Sequence, residues 1–283
     1  MPASFQHLRV LSLESRRATE TATLIAKYGG RPIVAPALRE LPLESNGAAL
    51  DFAAELLLGG IDVTVFLTGV GVRALFEVLE AAHPGDEVRA ALSRVRVAAR
   101  GPKPSSVLRE LGVPVWVTAP EPNTWRELLS AMEARAADQP IAGARIAVQE
   151  YGVPNRELLD ALEARGASVM RVPVYRWALP ENVAPLEHAV AAIAAGAIPV
   201  LLLTSGIQLA HLWQVVEMLG CERQFRDGLA STFIASIGPT TSEEITRRGL
   251  TPNLEASHPK LGFLVKEAAE HAVEFFAAHA GLP

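Results

Sequence analysis

The chain has one cysteine, Cys221, among 283 residues. A lone thiol cannot close an internal disulfide, and there is no CxxC pair, so a reducing compartment is expected. A basic excess is also missing. Lys and Arg number 26 against 31 Asp and Glu, for a formal charge of −5, which disfavours nucleic acid as the main partner because neutralising phosphates takes a basic face. The seven histidines are scattered, with no HxH or HExxH, so no metal is expected. There is no GxxxxGK[ST] to cradle nucleotide phosphates, and "GVGVR" at 69–73 lacks the third glycine of a dinucleotide fingerprint. Without a GxSxG, Ser205 is a poor nucleophile. The N-terminus has no long apolar segment, so no secretory signal is expected and a cytoplasmic protein is. The one long uncharged run, Ala189 to Ala210, is broken by Gly196 and Pro199. It reads as helix, turn and buried strand rather than as a membrane span.

What is present is a globular composition, 49% hydrophobic and 20% charged, on a chain long enough for two ordinary domains. It is also duplicated. "VFLTGVGVR" matches "LLLTSGIQL", pairing Thr68 with Thr204 at an offset of 136; Gly30 matches Gly166 at the same offset. Pro36 with Pro173 and Gly101 with Gly238 follow at 137. Each copy reads as strand, helix, proline-bearing exit, helix, apolar strand ending in Thr, helix, apolar strand ending in Gly-Pro, helix. Short continuous apolar runs such as "IDVTVFLT", "VRVAA", "ARIAVQ" and "TFIASI" alternate with amphipathic helices, the pattern of parallel sheets covered on both faces. In "NRELLDALEARG", Leu158, Leu159 and Leu162 form one apolar stripe.

The exits "RPIVAPALRELPLE" (31–44) and "VMRVPVYRWALPEN" (169–182) carry prolines every few residues. They suit neither a helix nor a central strand and would suit extended crossings between two lobes. The pattern leaves open whether the lobes follow one another or the first is split by the second.

Ligands of open α/β sheets bind beyond the carboxyl ends of the strands. Five strand-to-helix turns lie there: Ser15-Arg16-Arg17, Thr68-Gly69-Val70-Gly71, Arg100-Gly101-Pro102-Lys103, Thr204-Ser205-Gly206 and Gly238-Pro239-Thr240-Thr241. Helix N-termini offer N–H groups and partial positive charge to an anion. Such turns can equally be caps alone, and "TTSEE" contains a Ser/Thr-x-x-Glu capping box. Arg16, Arg17, Arg73, Arg100 and Lys103 near these turns would suit a polyanion. Tyr175 and Trp177 lie on the second crossing, where packing is the ordinary role of an aromatic.

The ordered set "ESRRATETATLIAKYGGRPIVAPALRELP", "VFLTGVGVRAL", "VAARGPKPSSVLRELG", "VPVYRWALP", "LLLTSGIQL" and "ASIGPTTSEEITRRGL" resembles the uroporphyrinogen-III synthase (HemD-like) family over almost the whole chain. The resemblance implies an α/β fold of two flavodoxin-like lobes with parallel sheets, joined by a two-stranded linker. Lobe 1 would be residues 1–38 and 176–283, lobe 2 residues 39–175, and the linkers about 31–44 and 169–182. It implies a cyclising lyase that closes hydroxymethylbilane, a linear tetrapyrrole with eight carboxylates. Ring D is inverted and water lost, through an azafulvene cation and a spiro intermediate, without a cofactor. Tyr175 matches the family's candidate acid. Thr240, with Thr241 and Gly238, matches its IGPTT turn, and Ser205 a hydroxyl at the other turn. Arg16, Thr68, Gly69, Arg100 and Gly101 complete the expected substrate-binding set. Thr68-Gly69 departs from the family's Thr-Ser and Ser15-Arg16-Arg17 from its Thr-Arg-Pro, so position 69 would act through its backbone. A monomer is expected, meeting hydroxymethylbilane synthase transiently. The competing expectations are a non-enzymatic two-lobed sensor on the same scaffold and an anion- or sugar-binding cleft protein.

Overall fold

The computed structural model describes residues 3–135, 140–150, 152 and 154–279. Tyr151 and Val153, inside the second copy's first motif, lie outside the described residues, as does the last turn expected of the closing helix. In chain order the elements are β1 (Arg9–Ser12), α1 (Ala18–Lys27), β2 (Arg31–Val34), β3 (Arg39–Pro42), α2 (Gly47–Leu57), β4 (Val63–Phe66), α3 (Gly69–Ala82) and α4 (Gly85–Leu92). Then come β5 (Arg96–Ala99), α5 (Pro102–Glu110), β6 (Val117–Thr118), α6 (Trp125–Ala134), β7 (Arg145–Gln149), α7 (Arg156–Glu163), β8 (Ser168–Val172) and β9 (Tyr175–Ala178). The chain closes with α8 (Ala184–Ala194), β10 (Val200–Leu203), α9 (Gly206–Leu219), α10 (Glu222–Ala230), β11 (Phe233–Ser236), α11 (Pro239–Arg247), β12 (Leu254–Glu255) and α12 (Leu261–His279).

These elements build two parallel five-stranded sheets, ordered β12-β11-β10-β1-β2 and β6-β5-β4-β7-β8. The chain divides into two compact units, Met1–Arg39 with Ala178–Pro283, and Glu40–Trp177. Each holds one sheet. The proline-bearing exits begin as edge strands, β2 and β8, where Pro32 costs no ladder bond to a further neighbour. They continue into β3 and β9, which pair as a separate two-stranded sheet.

Alternate strand residues fill the two faces of each sheet, as continuous apolar runs require. In the second unit Phe66, Val97, Ala99 and Ala147 pack with residues of α2, α3, α4 and α5. Val63, Val65, Ile146 and Val148 pack on the other face with α6 and α7, including Leu158, Leu159 and Leu162. In the first unit Leu11, Leu201, Leu203 and Ile234 meet α8, α9 and α10, while Val10, Val200, Leu202 and Phe233 meet α12. Each large side chain so buried contributes about 1.5–3 kcal/mol. The uncharged run from Ala189 forms the end of α8, a turn and buried β10. Among the described residues no helix is long and apolar enough to cross a membrane.

The structure corrects the repeat register. Strands β4 and β10, helices α3 and α9, strands β5 and β11, and helices α5 and α11 all correspond at 137 residues, not 136. Ser205, not Thr204, is therefore the counterpart of Thr68; each is the N-cap before a helix that opens with glycine. The string "LT" in both strands disguised this one-residue slip. Two further helices, α4 and α10, interrupt the expected strand–helix alternation in both copies.

Candidate functional site

The residues expected to bind substrate all lie at the carboxyl ends of their own unit's strands, and each unit gathers its own set. In the second unit β4 ends at Phe66 and the chain turns through Leu67 and Thr68 into α3. Thr68 is extended, at φ −146° and ψ 148°, and its hydroxyl accepts a hydrogen bond from the Gly71 N–H at 3.0 Å. This is an ordinary side-chain cap. Tyr175, at the start of β9, brings its phenolic oxygen to 3.4 Å from the Thr68 hydroxyl. That is longer than a formed O–H···O bond. The Tyr175 ring is 6% exposed and sits edge-on to Trp177 with centroids 5.4 Å apart.

Gln149, fully buried at the end of β7, holds this turn from behind. Its side-chain oxygen accepts from the Leu67 N–H at 3.3 Å and the Thr68 N–H at 3.5 Å, while its amide nitrogen donates to the Glu150 carbonyl. Glu150, itself buried, accepts two bonds from Arg171, at 2.6 and 3.1 Å, which hold that guanidinium above its usual pKa. The next turn packs alongside: a Cβ at Gly69 would stand 3.1 Å from the Lys103 carbonyl. Arg100 donates its N–H to Phe66 O at 3.0 Å, and Gly101 is the N-cap of α5.

Few N–H groups stay open here, and they are specific ones. The Gly71 N–H goes to the Thr68 hydroxyl and the Val72 N–H to the Thr68 carbonyl. Gly69 and Val70 are left without an intrahelical acceptor. In α5, Pro102 and Pro104 have no N–H, and the Ser105 N–H goes to Gly101 O at 3.3 Å. The Lys103 N–H therefore has no acceptor within the helix.

The first unit repeats the plan. A Cβ at Gly206 would lie 3.7 Å from the Thr240 carbonyl, so Ser205, Gly206 and Thr240 are neighbours. The helix α11 starts at Pro239 with Gly238 as its N-cap, and no side chain caps it. The Thr241 and Ser242 N–H groups go to the Gly238 carbonyl, at 3.0 and 3.1 Å. Thr240 thus supplies the open N–H, at the position equivalent to Lys103. The expected Ser/Thr-x-x-Glu cap is absent because the helix begins before it: Thr240 and Thr241 are already helical, Thr240 exposed and Thr241 buried.

Sequence reasoning missed Glu14 and Gln208. Glu14 leaves β1 and accepts from the Thr204 hydroxyl, from the Gln208 amide at 3.5 Å and from the Arg17 N–H at 3.3 Å. Gln208 accepts from the Thr204 N–H at 2.8 Å and the Ser205 N–H at 3.3 Å. The signal was available: Glu14 and Glu150 match at 136 residues inside the quoted repeat. Ser205, whose hydroxyl is buried, has no hydrogen-bond partner for it among the described residues; such an unpaired group costs about 1–3 kcal/mol. Arg16 is exposed in the turn after β1.

The fold is that of a mutant uroporphyrinogen III synthase from Thermus thermophilus, with a TM-score of 0.71 and 23% identity over 95% of this chain and 99% of that one. The uroporphyrinogen-III synthetase of Helicobacter pylori 26695 superposes with a TM-score of 0.50 at 14% identity, covering 96% and 99%. Protein YjjA of Bacillus subtilis (strain 168) is 26% identical over 264 residues, 92% of this chain and 94% of the relative. The family described as "Uroporphyrinogen-III synthase HemD" matches residues 19–266, and the chain belongs to that family.

Proposed function

We propose that the protein is a uroporphyrinogen-III synthase, a lyase that closes hydroxymethylbilane to uroporphyrinogen III with inversion of ring D and loss of water. The observation that carries the reading is Tyr175. It is a buried phenol at a strand-end turn, set by Trp177 packing and facing the Thr68 hydroxyl. An unperturbed phenol keeps its proton at neutral pH, with a pKa of about 10. Tyr175 passes that proton to the departing hydroxyl of the substrate, so that water leaves and the positive charge stays on the pyrrole-conjugated carbon. Thr68 accepts from Gly71 and keeps its own O–H for the phenolate left behind.

The helix N-termini at Gly69 and Lys103 in one unit, and at Gly206 and Thr240 in the other, each suit a carboxylate. Arg16 and Arg100 add charge near the strand ends. Holding the substrate's ends for closure on the inverted ring is then chiefly positioning. The test is direct. Hydroxymethylbilane is supplied and the isomers separated; the type III isomer is expected. Formation of the spontaneous type I isomer alone, with folded protein in excess, ends the proposal.

A further inference from the structure

The two units hold their strand-exit turns with the same group delivered from opposite directions. Residues 71 and 208 are equivalent, each the third residue of its helix. In the second unit that residue is glycine, and a Cβ there would overlap the Gln149 amide. In the first unit it is Gln208, which folds its own side chain back onto the turn. Leu13 stands at the first unit's counterpart of Gln149, 136 residues earlier. Both amide oxygens accept equivalent pairs of N–H groups: Leu67 and Thr68 in one unit, Thr204 and Ser205 in the other.

The two N-cap hydroxyls nevertheless differ. Ser205 has φ −164° and ψ 151°, close to Thr68, so its backbone permits the same cap. Ser205 and Gln208 stand in the arrangement of a capping box, and the glutamine half is formed. The serine half is arranged, with the Ser205 side chain facing the Gln208 N–H, but no hydrogen bond is made there. The Gln208 N–H instead goes to the Ser205 carbonyl at 3.2 Å. The Ser205 hydroxyl is left shut off from water with no partner among the described residues. Glu14 fixes the amide's direction. It accepts from the Thr204 hydroxyl and from Gln208 Nε2, while Nε2 also donates to Thr204 Oγ1 at 2.7 Å, which turns Oε1 to the turn N–H groups.

We propose that Gln208, backed by Glu14, is a positioning residue for substrate binding that acts through Ser205. It takes over the hydrogen bonding of the turn and so leaves the Ser205 hydroxyl free to orient toward a substrate carboxylate. The inference rests on the synthase reading. Without Gln208, the Ser205 oxygen turns onto its helix N–H as that of Thr68 does, and its O–H remains a donor but is held in the direction the cap sets.

The test compares Gln208→Met, which keeps the buried volume, with Ser205→Ala and the double variant, using hydroxymethylbilane and thermal unfolding. Gln208→Met is expected to raise KM by about five- to tenfold, the worth of one hydrogen bond, with kcat within about twofold of the parent. Ser205→Ala is expected to do the same, and the double variant no more than either alone. Glu14→Gln should shift KM in the same direction, and not in the Ser205→Ala background; it carries the test if Gln208→Met does not fold. Effects that multiply in the double variant, or a lowered Tm with unchanged KM, overturn the inference. A parent protein that yields only the type I isomer overturns the synthase reading itself, which the parent control reveals separately.

Discussion

The hydroxyl groups of Tyr175 and Thr68 face each other 3.4 Å apart, although 107 residues separate them in the chain. The Tyr175 ring is held by its edge-on contact with Trp177 and by burial, and a phenylalanine keeps both. Tyr175→Phe should therefore fold, with stability lowered by no more than the worth of one hydrogen bond, about 1 kcal/mol. Its rate of type III formation should fall by about a hundredfold, the lower range for loss of a positioned acid. Single-turnover assays with isomer separation measure this, and unchanged turnover removes Tyr175 as the proton donor.

Gly152 packs against Trp177, the ring that meets Tyr175 edge-on. It bridges to Arg176 with φ +74°, and an added Cβ would overlap the Trp177 indole. Gly152→Ala must push the indole aside, and with it the partner ring of Tyr175. The positive φ adds a cost of about 1 kcal/mol for any side chain. The expected result is a Tm lowered by about 2–4 °C together with a kcat loss approaching that of Tyr175→Phe. A normal kcat at a lowered Tm would show that the indole does not set the tyrosine.

Much of this was legible in the sequence. The apolar runs marked the inner strands, and the Leu158, Leu159 and Leu162 stripe marked the buried face of α7, because burial on two sheet faces leaves a strong periodic trace. The turns were visible as Gly-Pro and Thr-Gly breaks. The capping pattern misled at "TTSEE", where Pro at the first helical position starts α11 ahead of the threonines. The glutamine clamps were not legible. Gln149 and Gln208 reach equivalent N–H groups from a strand and from a helix, so no single repeat offset relates them. Only the folded arrangement shows that Gly71 makes room for one and that position 208 fills the same role for the other.

Glu150 and Arg171 form a one-sided buried pair: the carboxylate side chain is 4% exposed, the guanidinium 51%. Removing the arginine leaves a buried carboxylate without its cation, whereas the arginine could hydrate itself. Arg171→Met should therefore cost about 3 kcal/mol in urea unfolding, the low end for breaking a buried pair because one partner is half exposed. Glu150→Gln should cost less, since no charge is stranded. Equal losses for the two variants would mean that packing, not charge, explains the site.

Asp62 lies at the opposite end of the second unit's sheet, before β4. The Arg145 backbone N–H donates to its carboxylate at 2.8 Å, and this bond, aided by the Arg145 guanidinium, holds its pKa below the ordinary value. A depressed carboxylate stabilises the fold above its unfolded pKa, about 4, and that contribution is lost as pH falls through the folded value. Asp62→Asn should thus be less stable than the parent at pH 7 by about 0.5 kcal/mol, a small figure because water screens an exposed pair. The difference should shrink at acid pH, as Asp62 takes up its proton and both residues become neutral. Urea midpoints at the two pH values measure it, and a difference that persists in acid would contradict the ionic origin.

Thr240 separates capping from binding. Its side chain is exposed, α11 has no side-chain cap, and the Thr241 and Ser242 N–H groups are already bonded to Gly238. Thr240→Ala removes nothing the helix uses, so its Tm should match the parent within about 1 °C, unlike a true cap such as Thr68, whose loss costs about 1 kcal/mol. The substrate would keep the Thr240 N–H but lose the hydroxyl, and KM should rise by about fivefold, the worth of one neutral hydrogen bond. Thr68→Ala should instead lower Tm with the cap gone, and also lower kcat because the Tyr175 phenolate loses its donor. If Thr240→Ala instead lowers Tm and leaves KM alone, the threonine supports the helix after all and the substrate does not meet its hydroxyl.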